Sequence, residues 1–353
     1  MRLHVFNPEH DLALAFGGER FTAPRAGREM RRCLGFLPAF WAGPDDFVMV
    51  DDMEIAMKAS APWSRYLPHV RFVPFRAEKS RVMVRMDTID SVDVWGWDAA
   101  IRRQLLRVGV GAHLLPSVAQ VQAIRQHSSR VASIGLLDEL VSVVPGVIGW
   151  RRVSTSLEEV RALLDEHRRI VLKAPWSSSG RGVRYVDGVM TASLEGFVRN
   201  TIAQQGCVIV EPWYDRVLDF GVELVADGKG GADYAGLSIF GTVNGAYVGN
   251  SLMSEEEKMK ALRPYTEEKT LREAICLLQN HLGAQTSQVY AGPLGVDMMI
   301  VRVADQYLLH PCVEVNLRRT MGHVALDIHH RTNGAFSQMQ IVFDGTGYRL
   351  RLQ

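Results

Sequence analysis

The sequence predicts a protein of mixed α/β and α+β class, assembled from two or three domains. Three observations predict this. Segments of strand and helix character alternate along most of the 353 residues. Hydrophobic residues make up 47% of the chain and charged residues 22%, the balance of an ordinary globular protein with ample length for a large core. No internal repeat or low-complexity tract interrupts the alternation.

Leu3 to Phe6 reads as a short first strand, and Phe47 to Val50 and Val70 to Phe75 as further strands, with irregular proline-containing stretches around them. From Asp98, Ile101, Leu105 and Val108 recur at helical spacing. Pro116 opens a second helix carrying Val118, Val121 and Ile124, and a domain boundary is placed near residue 125. Ser156 and Glu159 fit a capping box, in which hydroxyl and carboxylate each satisfy an orphan amide. Arg169 to Lys173 is a strand, Ser177 to Gly182 a Ser/Gly loop, and a helix with Leu194, Phe197, Val198 and Ile202 starts near Ser193. Cys207 to Val210 is an apolar strand ending at Glu211. Leu218 to Val225 alternates at strand period, and Tyr234 to Val243 and Ala246 to Leu252 form a meander around the turn Asn244-Gly245. A long helix is expected from Pro264 and Thr266, closed by Gly283 as its cap. Strands at Gly295 to Val301 and Tyr307 to Asn316, a helix within Arg319 to Arg331 and a hairpin around Asp344-Gly345-Thr346-Gly347 complete the chain.

A net charge of +1 supplies no global field for nucleic acid or an anionic membrane. The cysteines, Cys33, Cys207, Cys276 and Cys312, form no CxxC pair, so neither a zinc motif nor a disulfide framework is expected. A reducing, cytoplasmic setting follows. The N-terminus turns polar at Pro8-Glu9-His10-Asp11, too soon for a signal peptide, and Asp138 and Glu139 interrupt the most apolar stretch, Val131 to Trp150.

Three features carry chemistry. Lys173 leaves an apolar strand ahead of Ser177-Ser178-Ser179-Gly180-Arg181-Gly182, where small residues let backbone amides approach phosphate oxygens. The order is not that of a Walker A loop, and a plain flexible connection would read the same. Glu211-Pro212-Trp213-Tyr214 ends a strand; such a segment can offer backbone groups to an adenine edge and an aromatic wall to the base, and Asp219 can accept from ribose hydroxyls. The third is Val313-Glu314-Val315-Asn316-Leu317-Arg318. As a strand it puts Glu314, Asn316 and Arg318 on one face, and with Asp297 from the preceding strand it offers hard oxygen ligands suited to Mg²⁺. The bland alternative is the polar face of an edge strand.

Together these features resemble the ATP-grasp superfamily in order and rough spacing. The residues carrying the resemblance are Lys173, Ser178, Ser179, Gly180, Arg181, Gly182, Glu211, Asp219, Asp297, Glu314, Asn316 and Arg318, and Arg130 resembles a first phosphate-contacting lysine. It covers roughly residues 125 to 353. It implies an α/β domain at 1-125, an ATP-grasp small lobe at 126-212 and a C-terminal lobe with the Mg²⁺ site at 213-353. ATP and Mg²⁺ are implied as cofactors. Arg130, Lys173, Ser178, Ser179, Gly180, Gly182, Glu211, Trp213 and Asp219 are implied around the nucleotide, and Asp297, Glu314 and Asn316 as metal ligands. Lys173 and Arg318 are the implied catalytic pair, Arg318 neutralising charge on the transferred phosphoryl group. The implied reaction phosphorylates a small-molecule carboxylate, and an amine then attacks the acyl phosphate. A homodimer is compatible with such a fold. A small-molecule kinase or a non-catalytic nucleotide-binding regulator uses the same features.

Two departures stand out. The interval from Asp297 to Glu314 is long for the pattern, and Asn7-Pro8-Glu9-His10-Asp11 replaces a glycine-rich turn after the first strand. Asn7, Glu9 and Asp11 are therefore either substrate contacts at a strand end or a capped turn into a helix. His323, Asp327 and His330 share a helical face, read as a solvated surface, a metal site or, for His323, a substrate contact.

Overall fold

The computed structural model describes residues 1–75, 88–177, 180–243 and 246–353. The described residues form three sheets.

The N-terminal part contains β1 (Arg2–Val5), α1 (His10–Phe16), α2 (Arg25–Leu34), β2 (Phe47–Val50), α3 (Met53–Ser60), β3 (Arg71–Pro74), β4 (Ser91–Val94), α4 (Ala99–Arg107) and α5 (Val118–His127). Its strands are parallel in the order β3-β2-β1-β4. Both faces are covered, which is why β2, Phe47-Val48-Met49-Val50, reads as an unbroken apolar run. Leu3 and Val5 pack with Ile101 and Leu105, while Phe6, Val48 and Val50 face Leu34 and Phe36. Asp98 caps α4 through the amides of Ala100 and Ile101.

Next come α6 (Ile134–Val143), β5 (Arg152–Ser154), α7 (Leu157–His167), β6 (Arg169–Lys173), β7 (Val183–Asp187), α8 (Ala192–Gln205) and β8 (Val208–Pro212). The sheet is antiparallel, in the order β5-β8-β6-β7. Ile170, Leu172, Val186, Val208 and Val210 pack against Val160, Leu164 and Val198 of α7 and α8. The alternate residues, Val171, Lys173, Tyr185 and Glu211, therefore lie on the face without helices. The expected capping box forms by half: Ser156 accepts from the amide of Glu159, but the Glu159 carboxylate accepts from Thr155.

The remainder contains β9 (Asp215–Ala226), β10 (Ala232–Val243), β11 (Ala246–Ser251), α9 (Glu255–Leu262), α10 (Glu268–Thr286), β12 (Gly292–Val303), β13 (Gln306–Asn316), α11 (Met321–Arg331), β14 (Gln338–Phe343) and β15 (Tyr348–Leu352). The strands form one antiparallel sheet, β13-β12-β9-β10-β11-β14-β15. Phe220, Val222, Leu224, Val296 and Met298 pack against α6 and α10. Helix α11 covers part of the opposite face, and Arg331 ties it to the N-terminal part through the carbonyls of Phe40 and Ala42, 3.0 and 2.6 Å away. Gly283 is not the cap of the long helix. It lies inside α10, where an added Cβ would fall 2.6 Å from the carbonyl oxygen of Gly230, so close approach rather than termination demands glycine. The Asn244-Gly245 turn lies outside the described residues. Among them, no helix is long and apolar enough to cross a membrane.

Candidate active site

Asp297 and Glu314 are directly opposed across β12 and β13, and Gly295 is opposed to Asn316. Opposed residues of an antiparallel pair share a face, so the two carboxylates lie side by side. Burial, reinforced by Glu314, pushes the Asp297 carboxyl up to about 7. A like charge beside a buried acid holds its proton, and a cation between the two would release it. This donor set fits Mg²⁺, a hard ion that takes one or two carboxylates and leaves its other positions to phosphates and water. Among the described residues no cluster of three His, Cys, Asp or Glu side chains could hold a metal ion. Asn316 bonds both neighbours: its amide contacts Asp297, and its Oδ1 accepts from Arg318 Nη2 at 2.9 Å.

Strand β13 ends at Asn316, so Arg318 stands just beyond it. Its Nε and Nη2 donate to the two oxygens of Asp11 at 2.8 and 2.9 Å, a bidentate pair between α1 and the segment that follows β13. Burial opposes ionisation of Asp11, but the guanidinium outweighs it and holds the carboxyl below its ordinary range.

Arg130 donates from Nη2 to Glu314 Oε1 at 2.7 Å and from Nη1 to the Ala174 carbonyl and Ser177 Oγ at 2.7 and 2.9 Å. It thereby joins β13 to the exit of β6. Behind it is a cluster centred on Glu211, which lies 2.6 Å from both Lys173 Nζ and Arg151 Nε. Burial alone would raise the Glu211 carboxyl; Arg151 and Lys173 overcome this and hold it at about 2. Lys173 is lowered by burial, and by Arg151 and Arg130, against the opposing pull of Glu211. Arg151 is fully buried and also donates to the carbonyls of Arg130, Cys312 and Val313. Sequence reading missed Arg151, and its neighbour Arg152 gives no pattern that would single it out.

Trp213 packs on Tyr185, ring centres 5.1 Å apart, and the Arg169 guanidinium lies 4.4 Å from the Trp213 ring centre. These residues lie on the helix-free face of the small sheet, beside Lys173 and Glu211. Asp219 accepts from Thr242 Oγ1 and Arg216 Nη1, each at 3.0 Å. In the Ser/Gly loop, Ser178 and Ser179 lie outside the described residues. Gly180 has φ +72°, and a Cβ on Gly182 would fall 2.3 Å from that of Ser177, so both positions favour glycine.

A small recess opens where α1, the exit of β6 and the end of β13 meet, bordered by His10, Asp11, Ser177, Glu314 and Asn316. Of the N-terminal candidates, Asp11 reaches it. Asn7 is buried against the Gly96 carbonyl and Asp98, and Glu9 pairs with Arg31 at 2.7 Å. Glu9, not Asn7 or Asp11, occupies the cap position of α1, and its side chain makes no capping bond. His323 does not reach the recess either. Its Nδ1 faces Glu223 and Thr320, and its Nε2 contacts the Leu224 carbonyl at 3.0 Å, under α11. Glu223, missed from sequence, anchors that buried network together with Ser238. Asp327 pairs with Arg319, so the expected helical-face trio does not form one site.

The three sheets and their helices have the ATP-grasp fold over nearly the whole chain. Among solved structures, N5-carboxyaminoimidazole synthetase from Staphylococcus aureus, complexed with ADP, is similar with a TM-score of 0.52 and 13% identity, over 98% of this chain and 83% of that one. N5-carboxyaminoimidazole ribonucleotide synthetase from Thermus thermophilus gives 0.51 at 13% identity, over 97% and 83%. Biotin carboxylase from Campylobacter jejuni, in a β-γ-ATP complex, gives 0.52 at 12% identity, over 99% and 73%. No family model matches the sequence, and no curated protein does.

Proposed function

We propose that this protein is a Mg²⁺-dependent ligase that uses ATP to join a small-molecule carboxylate to an amine through an acyl phosphate. The observation that carries the reading is that Glu314 and Asn316 border one recess and are joined there to Asp297 across the strands, to Arg130 and to Arg318. The nucleotides in the similar synthetase and carboxylase structures support ATP as the ligand. Lys173 and Arg130 would meet phosphate oxygens, together with the backbone around Gly180 and Gly182. Tyr185 and Trp213 offer an aromatic wall to the base, Glu211 sits at the hinge, and Asp219 accepts from ribose. Asp297, Glu314 and Asn316 would hold Mg²⁺, which when bound neutralises charge on phosphate oxygens. Arg318, fixed by Asp11 and Asn316, stabilises charge that grows on the transferred phosphoryl group. No covalent nucleophile from the protein is needed; positioning and electrostatics supply the rate.

The test is incubation with Mg-ATP, hydroxylamine and a panel of carboxylates, scoring ADP, phosphate and hydroxamate. Hydroxamate with stoichiometric ADP supports the ligase. A stable phosphorylated alcohol, formed when hydroxyl acceptors are added, would identify a kinase. ATP binding without turnover across the panel would leave a nucleotide-binding regulator.

A further inference from the structure

The recess borders a titratable side chain that the reading above does not use. His10 opens α1 and is 1% exposed. Its Nδ1 lies 3.2 Å from Asp98 Oδ2. Asp98 is itself immobilised: Oδ1 accepts from the amides of Ala100 and Ile101 at 2.8 and 2.9 Å, and Oδ2 accepts from Asn7 Nδ2 at 3.2 Å. A carboxylate only accepts, so the Nδ1 of a neutral His10 carries the ring proton and Nε2 keeps its lone pair. That Nε2 is buried and has no hydrogen-bond partner. The ring cannot shift toward the sheet, because it packs on Gly96, where an added Cβ would fall 2.5 Å from Cδ2. A buried nitrogen left unpaired is unfavourable, and a donor brought against it would complete its hydrogen bonding; His10 is one of the residues that line the recess.

We infer that His10 is the general base that takes a proton from the amine nucleophile, with Asp98 as its positioning residue. The inference rests on the ligase reading and adds to it the protonation state of the second substrate: an ammonium ion enters, not a free amine. Asp11 and Glu314 line the recess, paired to Arg318 and Arg130, and the Asp98 carboxylate stands behind His10. His10 Nε2 accepts one proton from R–NH₃⁺, and the freed lone pair forms the C–N bond at the acyl-phosphate carbon. The C–O bond to phosphate breaks, and phosphate leaves with its electron pair. A second proton leaves the nitrogen on phosphate, and imidazolium returns its proton to solvent. The carboxylate holds the imidazole in the accepting tautomer and stabilises imidazolium, the arrangement by which an Asp–His pair serves a base.

The experiment compares two nucleophiles in wild type and His10→Phe, using whichever carboxylate supports wild-type hydroxamate formation. Ammonium chloride is mostly protonated at neutral pH, and hydroxylamine is mostly unprotonated. His10→Phe is expected to lose about 100-fold or more in amide formation from ammonium, the range for a lost general base, and no more than about threefold in hydroxamate formation. His10→Gln repeats the comparison should the phenylalanine variant fold poorly. Equal losses with both nucleophiles, or none with either, overturn the proposal while leaving the ligase intact. Absence of hydroxamate from wild type sinks the ligase reading and this proposal together. Nitrogen NMR of His10 supplies a second arm: protonation at Nδ1 is expected, and an Nε2–H tautomer in the neutral ring overturns the assignment whatever the kinetics.

Discussion

Replacing Asp297 with Asn should stabilise the metal-free protein, and the effect should grow with pH. The Asp297 carboxyl stands at about 7 in the folded protein, against 3.8 for an ordinary aspartate. The sign follows from proton binding. Between about pH 4 and pH 7 the folded state holds a proton that the unfolded state has released, so wild-type stability falls as pH rises through that window. At about 1.4 kcal/mol per pH unit the shift amounts to about 4 kcal/mol. Asp297 is only partly shielded from the cleft, and solvent screening lowers the expected effect to about 2 kcal/mol. The assay is urea denaturation of wild type and Asp297→Asn without metal at about pH 4 and pH 8. The variant should gain about 2 kcal/mol on wild type between the two, and added Mg²⁺ should narrow the gap by stabilising wild type alone. A gap independent of pH, or one closing as pH rises, would refute the reasoning about paired carboxylates.

Glu211→Gln should destabilise by about 3 kcal/mol at neutral pH, because Lys173 and Arg151 stay buried without their counter-ion. The wild-type advantage is complete above about pH 4.5 and lost as pH falls through about 2, so denaturation at pH 7 and in strong acid checks both size and sign. Asp11→Asn removes the charged partner of Arg318 and should cut turnover about tenfold or more while ATP affinity, read by calorimetry, stays within about twofold. In Gly322→Ala an ideal Cβ falls 1.8 Å from Glu223 Oε1 and 2.5 Å from Ser238 Oγ, so a melt should show a loss of about 3 kcal/mol or more; wild-type stability would mean that network can move.

Strand β13 was legible because strand geometry has a period of two, and Glu314 and Asn316 alternate with valines. The partner strand was legible too, but its register was not. Between the pairs Asp297–Glu314 and Met299–His310, β12 advances two residues and β13 four, an irregularity that accounts for the long interval noted in the sequence. Lys173 and Glu211 were singled out for phosphates and adenine; that they pair with each other, and Glu211 also with Arg151, depends on cross-strand contacts no local pattern encodes. Asn7 and Asp11 looked alike as strand-end polar residues. The first turn of α1 brings Asp11 to Arg318, just beyond β13, and leaves Asn7 buried against Gly96 and Asp98. His10 and Asp98 lie 88 residues apart, and parallel strands bring them together. Helix α2 escaped notice because its arginines outweigh its apolar stripe, and its start and end carry no side-chain cap or left-handed glycine. Ser254 and Glu257 form a complete capping box ahead of α9 and were readable from spacing alone.

The most direct measurement of the central claim is Mg²⁺-dependent ATP turnover in Glu314→Gln, alongside thermal melting of the same sample. The substitution keeps the side-chain volume and an oxygen for Arg130 but removes one of the two charges opposed across β12 and β13. The account predicts loss of ADP formation by a factor of about 100 or more with the folding transition retained. Full turnover in the variant would contradict a metal site at this strand and the ligase built upon it.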